Sequence, residues 1–509
     1  MQRREWLGAS LAGAAALGLQ ACAGWQPARE LAPLDPAADS PDAPATPREW
    51  RAAWVATVAN IDWPSRPGLS DAQQIAEMLA LLDRARDTGL NAIVLQVRTS
   101  ADAFYPSTLE PWSEYLSGRQ GQAPGYDPLA RWIAEAHARG LELHAWFNPY
   151  RARQSAARSE AAEQHLSRSK PDWVKRYGDQ LWIDPGEPAA AEHTLAVFRE
   201  VLSRYPVDGI HIDDYFYPYP VNDPATKQEI DFPDEPSWQA YRAGGGTLAR
   251  ADWRRANVDG LVQRLHALVR ELRPEARLGI SPFGLPRPDK RPPGIAGFSQ
   301  YDKLYANVEY WLAQGWLDYL VPQLYWPRAQ TAQAFEPLMD AWAGLNPQGR
   351  HVWPGLFTSK VTLDDKSWPV EEILAQVQLT RRLQPSAGHA HFSMVALAQN
   401  RRGLADALRQ GPYARPALPP ETPWLEAPAC GAPRLRRLAD GRLQALSGPG
   451  APARRFALWT LHQDEADWRL QLLGPDGLAP APTDARLALV SAQNGCGREG
   501  PRARFRLSA

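Results

Sequence analysis

The chain has 509 residues, with 56 Lys and Arg against 57 Asp and Glu and a formal net charge of −1. Its basic residues are dispersed, so there is no field to gather a polyanion, and nucleic acid is excluded as an expected partner. Twenty-one tryptophans and sixteen tyrosines exceed what a core of this size requires, and many adjoin Pro, Asn or Asp; flat rings that stack on sugars account for such a surplus, although core packing accounts for most of them singly.

At the amino end, Arg3-Arg4 precede an apolar run from Trp6 to Leu19 that stops at Leu19-Gln20-Ala21-Cys22. The run is too short to span a bilayer and reads as an export signal. Arg3 to Leu7 partly resembles a twin-arginine signal, and Gln20 is unusual in a lipoprotein processing box. Residues 1–22 are therefore predicted to be a lipoprotein signal with Cys22 as the lipidated residue. Ala23 after it favours a periplasmic lipoprotein anchored in the outer membrane, with that lipid as the membrane contact. Residues 23–47 are dominated by Ala, Pro and Asp and read as an extended tether.

From 48 to 415, apolar strand-like runs alternate with helix-period stretches. The strand candidates are Arg51–Val58, Asn91–Arg98, Glu142–Asn148, Gly209–Asp213, Leu278–Phe283, Tyr319–Tyr325, His351–Phe357 and His389–Val395. The helix candidates lie at 70–88, 127–139, 189–204, 252–272, 300–313, 331–343, 370–383 and 402–410. In the first, Ser70 is placed to cap the amino end, Ile75, Leu79 and Leu82 recur at helical spacing, and Gly89 ends it. Strand and helix alternating in this way predict an α/β (β/α)8 TIM barrel, a fold that carries its active site on the loops after the strands. Residues 219–251 form a long insertion after the fourth strand and are expected to be a lid or cleft wall.

Past Pro419 the texture changes. Arg455–Leu461, Trp468–Leu473 and Arg486–Ala492 are short alternating runs between Gly, Pro and Asp, so 425–509 is predicted to be an all-β immunoglobulin-like or fibronectin-like domain. The only cysteines besides Cys22 are Cys430 and Cys496, and a disulfide between them is expected in an oxidising compartment. The alternative is two unpaired buried thiols. No Cys/His cluster has zinc-site spacing, and no phosphate loop or dinucleotide fingerprint occurs, so neither metal nor cofactor is expected.

The segment Asp208-Gly209-Ile210-His211-Ile212-Asp213-Asp214-Tyr215-Phe216-Tyr217-Pro218 is the most informative in the chain. Alternation puts Ile210 and Ile212 on one face and His211 and Asp213 on the other. The aromatic and proline run after Asp214 forces a turn, so both carboxylates could face one cleft; the plainer alternative is that one of them only caps that turn. Other predicted strand ends supply Asn60, Asp62 and Trp63, then Arg98, Asp102 and Trp112, then His144, Trp146, Asn148 and Arg151. Ser281, Gln323, Tyr325, Trp326, Phe392 and Ser393 follow.

A cleft of this composition suits glycosidic bond cleavage, which commonly needs two carboxyl groups. Where the sugar carries a 2-acetamido group, its own carbonyl can attack, and one carboxylate orients the amide while another protonates the leaving oxygen. Asp213 is expected to orient the amide and Asp214 to be the acid, its pKa raised by the aromatic surround and by the charge of Asp213; the alternative is Asp213 as nucleophile with Asp102 as acid. His211 either binds a sugar hydroxyl or is a hydrogen-bonded inner-barrel histidine. Arg98 either holds a substrate carboxylate or hydroxyl, or pairs with Asp102. Asp184 reads as a turn former, while Glu309, in a helical stretch, and Asp318, just before a strand, are poorly placed for catalysis. Tyr215, Tyr217, Tyr325 and Trp326 are the candidate sugar-facing rings.

Gln96-Val97-Arg98, Asp102-Ala103-Phe104-Tyr105-Pro106-Ser107, Glu110-Pro111-Trp112-Ser113, His144 to Arg151, Asp208 to Pro218, Asp252 to Asn257, Ile280 to Gly284 and Pro322 to Trp326 together resemble the glycosyl-hydrolase-like ten family over residues 48 to about 400. The resemblance implies the barrel fold and hydrolysis of peptidoglycan or a related glycan, in particular strands lacking stem peptides. It also opens cell-envelope or division proteins as partners. Asn307 stands where an Asp is expected in such relatives. Two competing readings are a non-catalytic glycan-binding scaffold and a glycosidase of another polysaccharide.

Overall fold

A computed structural model describes residues 28–34, 42–383, 387–463 and 467–507. The predicted signal and Cys22 lie outside the described residues, as do 23–27 and 35–41 of the tether. Nine parallel strands form one curled sheet: β1 (Trp50–Val55), β2 (Ala92–Arg98), β3 (Glu142–Phe147), β4 (Gly209–Ile212), β5 (Arg277–Ile280), β6 (Tyr319–Leu320), β7 (His351–Val352), β8 (Gly355–Leu356) and β9 (Gly388–His391). Their order across the sheet is β7-β6-β5-β4-β3-β2-β1-β9-β8. The two ends of this order are joined by only Trp353 and Pro354, whose backbone bonds reach both ways: Trp353 N–H donates to Leu320 O at 2.8 Å and Ala390 N–H to Pro354 O at 3.1 Å.

The predicted strands start within one residue of where expected and, apart from the run ending at Arg98, end early. Pro282, Pro322 and Pro354 have no N–H to give a ladder, so β5 and β6 stop just before their prolines and the run 351–357 splits into β7 and β8. The expected strand 389–395 stops at His391, and a helix begins at Met394. Helices cover the sheet's outside. Asp71–Thr88 has Ser70 and Gln73 in a reciprocal capping box and ends at Gly89, whose φ of 97° only glycine adopts without strain. The stretch 300–313 is not one helix but two, Gln300–Lys303 and Val308–Gln314, broken where Tyr305 takes a φ of 54°. With both faces covered, every residue of β1, β2 and β3 is buried.

The carboxyl-terminal part forms two small antiparallel sheets. One runs Trp468–Leu473, Arg455–His462, Ala485–Gln493, Ala503–Arg506; the other contains Arg434–Arg437, Leu443–Leu446 and Leu478–Ala479. Phe456, Leu458, Val490 and Phe505 lie in their shared core with Leu435 and Leu443. Residues 28–34 are extended, yet they do not hang free: Arg29–Glu30 pair with Arg436–Arg437, and Leu31 packs on that core. The expected Cys430–Cys496 disulfide is corrected by the structure, where both thiols are free and buried. Cys430 Sγ faces Pro452 O, whereas Cys496 Sγ faces Glu275 O under the curled sheet, each at 3.9 Å, so the two side chains serve different interfaces. Among the described residues no helix is long and apolar enough to cross a membrane.

Candidate active site

β4 stops at Ile212, and the chain turns at once, with Phe216 N–H donating to Asp214 O at 3.0 Å. Strand alternation therefore does not separate Asp213 from Asp214. Trp146, on β3, donates its Nε1–H to Asp213 Oδ2 at 3.1 Å, while Tyr219 O–H and the Gln323 side chain beyond β6 both reach Asp214. Asp213 is 4% exposed and Asp214 3%, so both sit at the base of the sheet's carboxyl-end mouth and not on its rim.

The two acids are held unequally. Asp213 Oδ1 is buried and has no hydrogen-bond partner among the described residues. Burial, and then the adjacent Asp214 charge, push the Asp213 carboxyl up to about 8. Burial also raises Asp214, but donation from Tyr219 and Gln323 works against it. Both carboxyls are thus raised, and the lack of a donor at Asp213 Oδ1 favours Asp213 as the one that keeps a proton. Arg151 supplies the nearby positive charge. It is buried, it lies on a three-stranded sheet with Val174–Tyr177 and Gln180–Ile183, and its guanidinium sits 3.8 Å from the centre of the Tyr215 ring.

Aromatic rings surround this base. Tyr215 meets Tyr219 edge-on at 5.9 Å, and Tyr219 stacks on Phe298 at 5.2 Å. On the other side, Tyr325 lies 4.8 Å from Phe357 and 5.6 Å from Phe392. Tyr215, Tyr219, Tyr325, Trp326 and Trp112 are each partly exposed, as a sugar-stacking surface requires. Tyr219 and Phe298 are the members that sequence reasoning missed. The signal for Tyr219 lay in the run Tyr215-Phe216-Tyr217-Pro218-Tyr219, where a proline-bent segment returns the last ring to the acids; Phe298 comes from a distant loop and had none.

Several expected contacts are corrected. Arg98 is fully enclosed: its guanidinium spans Glu110 at 2.8 and 2.5 Å and the carbonyls of Asn148 and Pro149 at 2.6 and 3.0 Å, leaving nothing for a ligand. Asp102 is not paired with it. Asp102 Oδ1 accepts from Thr99 Oγ1 at 2.7 Å and Ser100 N at 3.0 Å, so the carboxylate braces its own turn. Asn148 is buried and donates to Thr99 O. Tyr217 is buried between Phe232 and Tyr305, with the Arg254 guanidinium 5.5 Å from its ring, so it anchors the insertion.

His144, His211 and Ser281 belong to one buried polar network, in which His211, on β4, precedes Asp213 and Ser281 is level with Asp213 in the register. Ser281 Oγ and Trp54 Nε1 lie 3.0 and 3.2 Å from His211 Nε2, and Tyr319 Oη lies 3.2 Å from His211 Nδ1 and 2.8 Å from His144 Nδ1. Burial, and secondarily His144, hold His211 well below the ordinary imidazole range. It is therefore neutral, and its side chain is fully buried. Asp184 accepts from Gly186 N and Ser237 Oγ, as a turn former does.

A family model described as Glycosyl hydrolase-like 10 matches residues 49–370. The glycosyl hydrolase YngK of Bacillus subtilis (strain 168) is 41% identical over 404 residues, covering 78% of this chain and 78% of its own length. The glycosyl hydrolase DigH of Escherichia coli (strain K12) is 33% identical over 410 residues, covering 74% of this chain and 90% of its own. Among solved structures, the PgaB (BpsB) glycoside hydrolase domain from Bordetella bronchiseptica shares 15% identity with a TM-score of 0.47, over 72% of this chain and 98% of that one.

Proposed function

The chain belongs to the glycosyl hydrolase-like 10 family and is a glycoside hydrolase, and from that premise we propose that Asp213 and Asp214 cleave a polysaccharide of N-acetylated sugars with help from the substrate's own acetamide. The observation that carries this reading is the unequal hold on two adjacent buried carboxyls: Asp213 is held by Trp146 and the Tyr215 backbone N–H but keeps Oδ1 without a side-chain donor, while Asp214 accepts from the side chains of Tyr219 and Gln323. That asymmetry reverses the roles expected from the aromatic surround of Asp214.

In this mechanism Asp213 gives its proton to the leaving glycosidic oxygen as that bond breaks. The 2-acetamido carbonyl oxygen forms the new bond to the anomeric carbon, and the ionised Asp214 accepts the amide N–H and balances the positive ring so formed. Asp213, now a carboxylate, takes a proton from the water that attacks the anomeric carbon, and the ring reopens. The product keeps its anomeric configuration, and Asp213 ends protonated as it began. Tyr215, Tyr325 and Trp326 offer faces for the flanking sugars.

The curled sheet is read as an eight-stranded barrel in which β7 and β8 are halves of one strand interrupted at Trp353-Pro354. Residues 48–415 then form the catalytic domain and 425–509 an immunoglobulin-like sandwich. The preferred substrate is the peptidoglycan glycan strand lacking stem peptides, met in the periplasm by a protein tethered through Cys22 to the outer membrane and working beside envelope or division proteins. A second reading is a glycosidase acting on another polysaccharide, with which the relatives' names are equally compatible, since they specify glycosyl hydrolysis and no particular polymer.

The test incubates purified protein with amidase-treated glycan strands and with other N-acetylated polysaccharides, and counts new reducing ends. Cleavage confined to one polymer identifies the substrate. Full activity in both Asp213→Asn and Asp214→Asn sinks the proposed chemistry.

A further inference from the structure

We infer that Tyr219, the first residue of the long segment between β4 and its helix, is a positioning residue that keeps Asp214 ionised and aimed, so that the proton of the pair stays on Asp213; this rests on the reading of the two acids given above. Its hydroxyl donates to Asp214 Oδ2. The ring cannot swing away, because it stacks on Phe298 at 5.2 Å with 25° between the planes and meets Phe283 edge-on at 6.5 Å. Two separate loops, one after β4 and one after β5, therefore clamp a single hydroxyl onto a single carboxylate.

The far end of the segment is fixed as firmly. Asp234 is fully buried and takes the guanidinium groups of Arg250 and Arg254, the second of which also donates to Tyr305 Oη at 2.7 Å. The insertion thus forms a braced wall whose inner end is Tyr219, and it reaches the chemistry through one hydrogen bond. Burial and the Asp214 charge hold the Tyr219 hydroxyl well above the ordinary phenol range, so it remains a donor at every working pH. The other groups facing Asp214 are the donating Gln323 side chain from beyond β6, Asp213 beside it, Arg151 from the segment after β3, Tyr215, and Tyr325 from beyond β6. Of these, Arg151 alone is a cation, and it acts on both acids. The hydroxyl of Tyr219 touches only Asp214, which is what lets it distinguish the two.

The experiment measures kcat and KM against pH for wild type, Tyr219→Phe and Asp214→Asn on a glycan that wild type hydrolyses. Loss of a hydrogen bond to a carboxylate predicts that Tyr219→Phe lowers kcat by about 10- to 100-fold and leaves KM within about twofold. A carboxylate without its donor ionises at higher pH, so the acid limb of kcat/KM moves upward. A Tyr219→Phe profile that superimposes on wild type, with Asp214→Asn inactive, overturns this inference and leaves the roles of the acids standing. Full activity in Asp214→Asn overturns both. Should Tyr219→Phe fail to fold, Phe298→Leu, which unseats the ring but keeps the hydroxyl, must move the same limb in the same direction; an unmoved limb there overturns the inference.

Discussion

Arg455, on the long first strand of a carboxyl-terminal sheet, brings its guanidinium to 3.5 Å from Glu142 at the start of β3. The two belong to different parts of the chain and meet at the floor of the curled sheet, opposite the acids. Arg455 also donates to Gly140 O at 2.7 Å, and Arg277 joins the same carboxylate at 2.8 and 2.9 Å. Trp50 Nε1–H donates to it at 3.2 Å. One buried anion therefore answers two buried cations.

Removing that anion leaves both guanidinium groups without their contacting carboxylate and with only the more distant Asp208 to balance them. Glu142→Gln is expected to cost about 3–5 kcal/mol of stability, as loss of one partner from a buried ion pair does. Burial opposes ionisation of Glu142, but Arg277 and the bond to His144 hold it well below the ordinary value of 4.5. A depressed acid contributes stability that is full above its unfolded value and is lost as pH falls toward the folded one. Thermal melts at pH 7 and pH 4 check this: the gap between wild type and Glu142→Gln narrows at the lower pH. A variant that melts with wild type at pH 7 would show that the floor does not depend on this carboxylate.

The pH dependence of catalysis follows from Asp213. As proton donor it must be protonated in the free enzyme, and its carboxyl lies at about 8. kcat/KM is therefore expected to fall tenfold per pH unit above about pH 8. Asp213→Asn loses about 10²–10⁴-fold in kcat on substrates with poor leaving groups. On an aryl glycoside whose phenol leaves unaided the loss in the first step is far smaller, and that contrast separates an acid from a group needed only for folding.

Much of this was legible before any coordinates. The eight apolar runs, their helices and the capping signals at Ser70 and Gly89 fixed the layout, because periodicity and caps are local properties. The strand ends were read too far, because prolines at 282, 322 and 354 stop ladders that apolar pattern alone would continue. Alternation puts His144, His211 and Ser281 inside, yet only the three-dimensional contacts show that Tyr319 joins the two histidines and that Ser281 bonds to His211. The partner of Arg98 was misjudged for a similar reason: Asp102 is nearer in sequence, but its carboxylate is already taken by its own turn, and Glu110 folds back instead.

The cysteines give a simple check. Cys430 and Cys496 are free and buried, and burial raises both thiols, with Cys496 pushed up to about 11. Thiols held in that way are poor nucleophiles. A thiol reagent is expected to label neither in the native protein and both after denaturation, and reducing agent is expected to leave Tm unchanged. A melting temperature lowered by reducing agent would instead show that the pair is oxidised and supports the fold.

Asp213 should also cost the fold stability, with a pH signature of its own. Its folded carboxyl lies at about 8 against an unfolded value near 3.8, so between those pH values the unfolded chain has released a proton that the folded chain still holds. Stability contributed by such a raised group is whole below the unfolded value and is lost as pH rises through the folded one, with a limiting slope of about 1.4 kcal/mol per pH unit. Asn at this position has the same shape and cannot ionise, so the slope disappears in Asp213→Asn. The variant is expected to melt above wild type, by little at pH 5 and by progressively more toward pH 8, even though it has lost its activity. Arg151 lies close enough to oppose the effect but not to cancel it, since burial and the neighbouring Asp214 outweigh it. A difference in Tm that stays constant from pH 5 to pH 8 would mean that Asp213 ionises in the folded protein much as it does in the unfolded chain, and the assignment of the resident proton to it would fall.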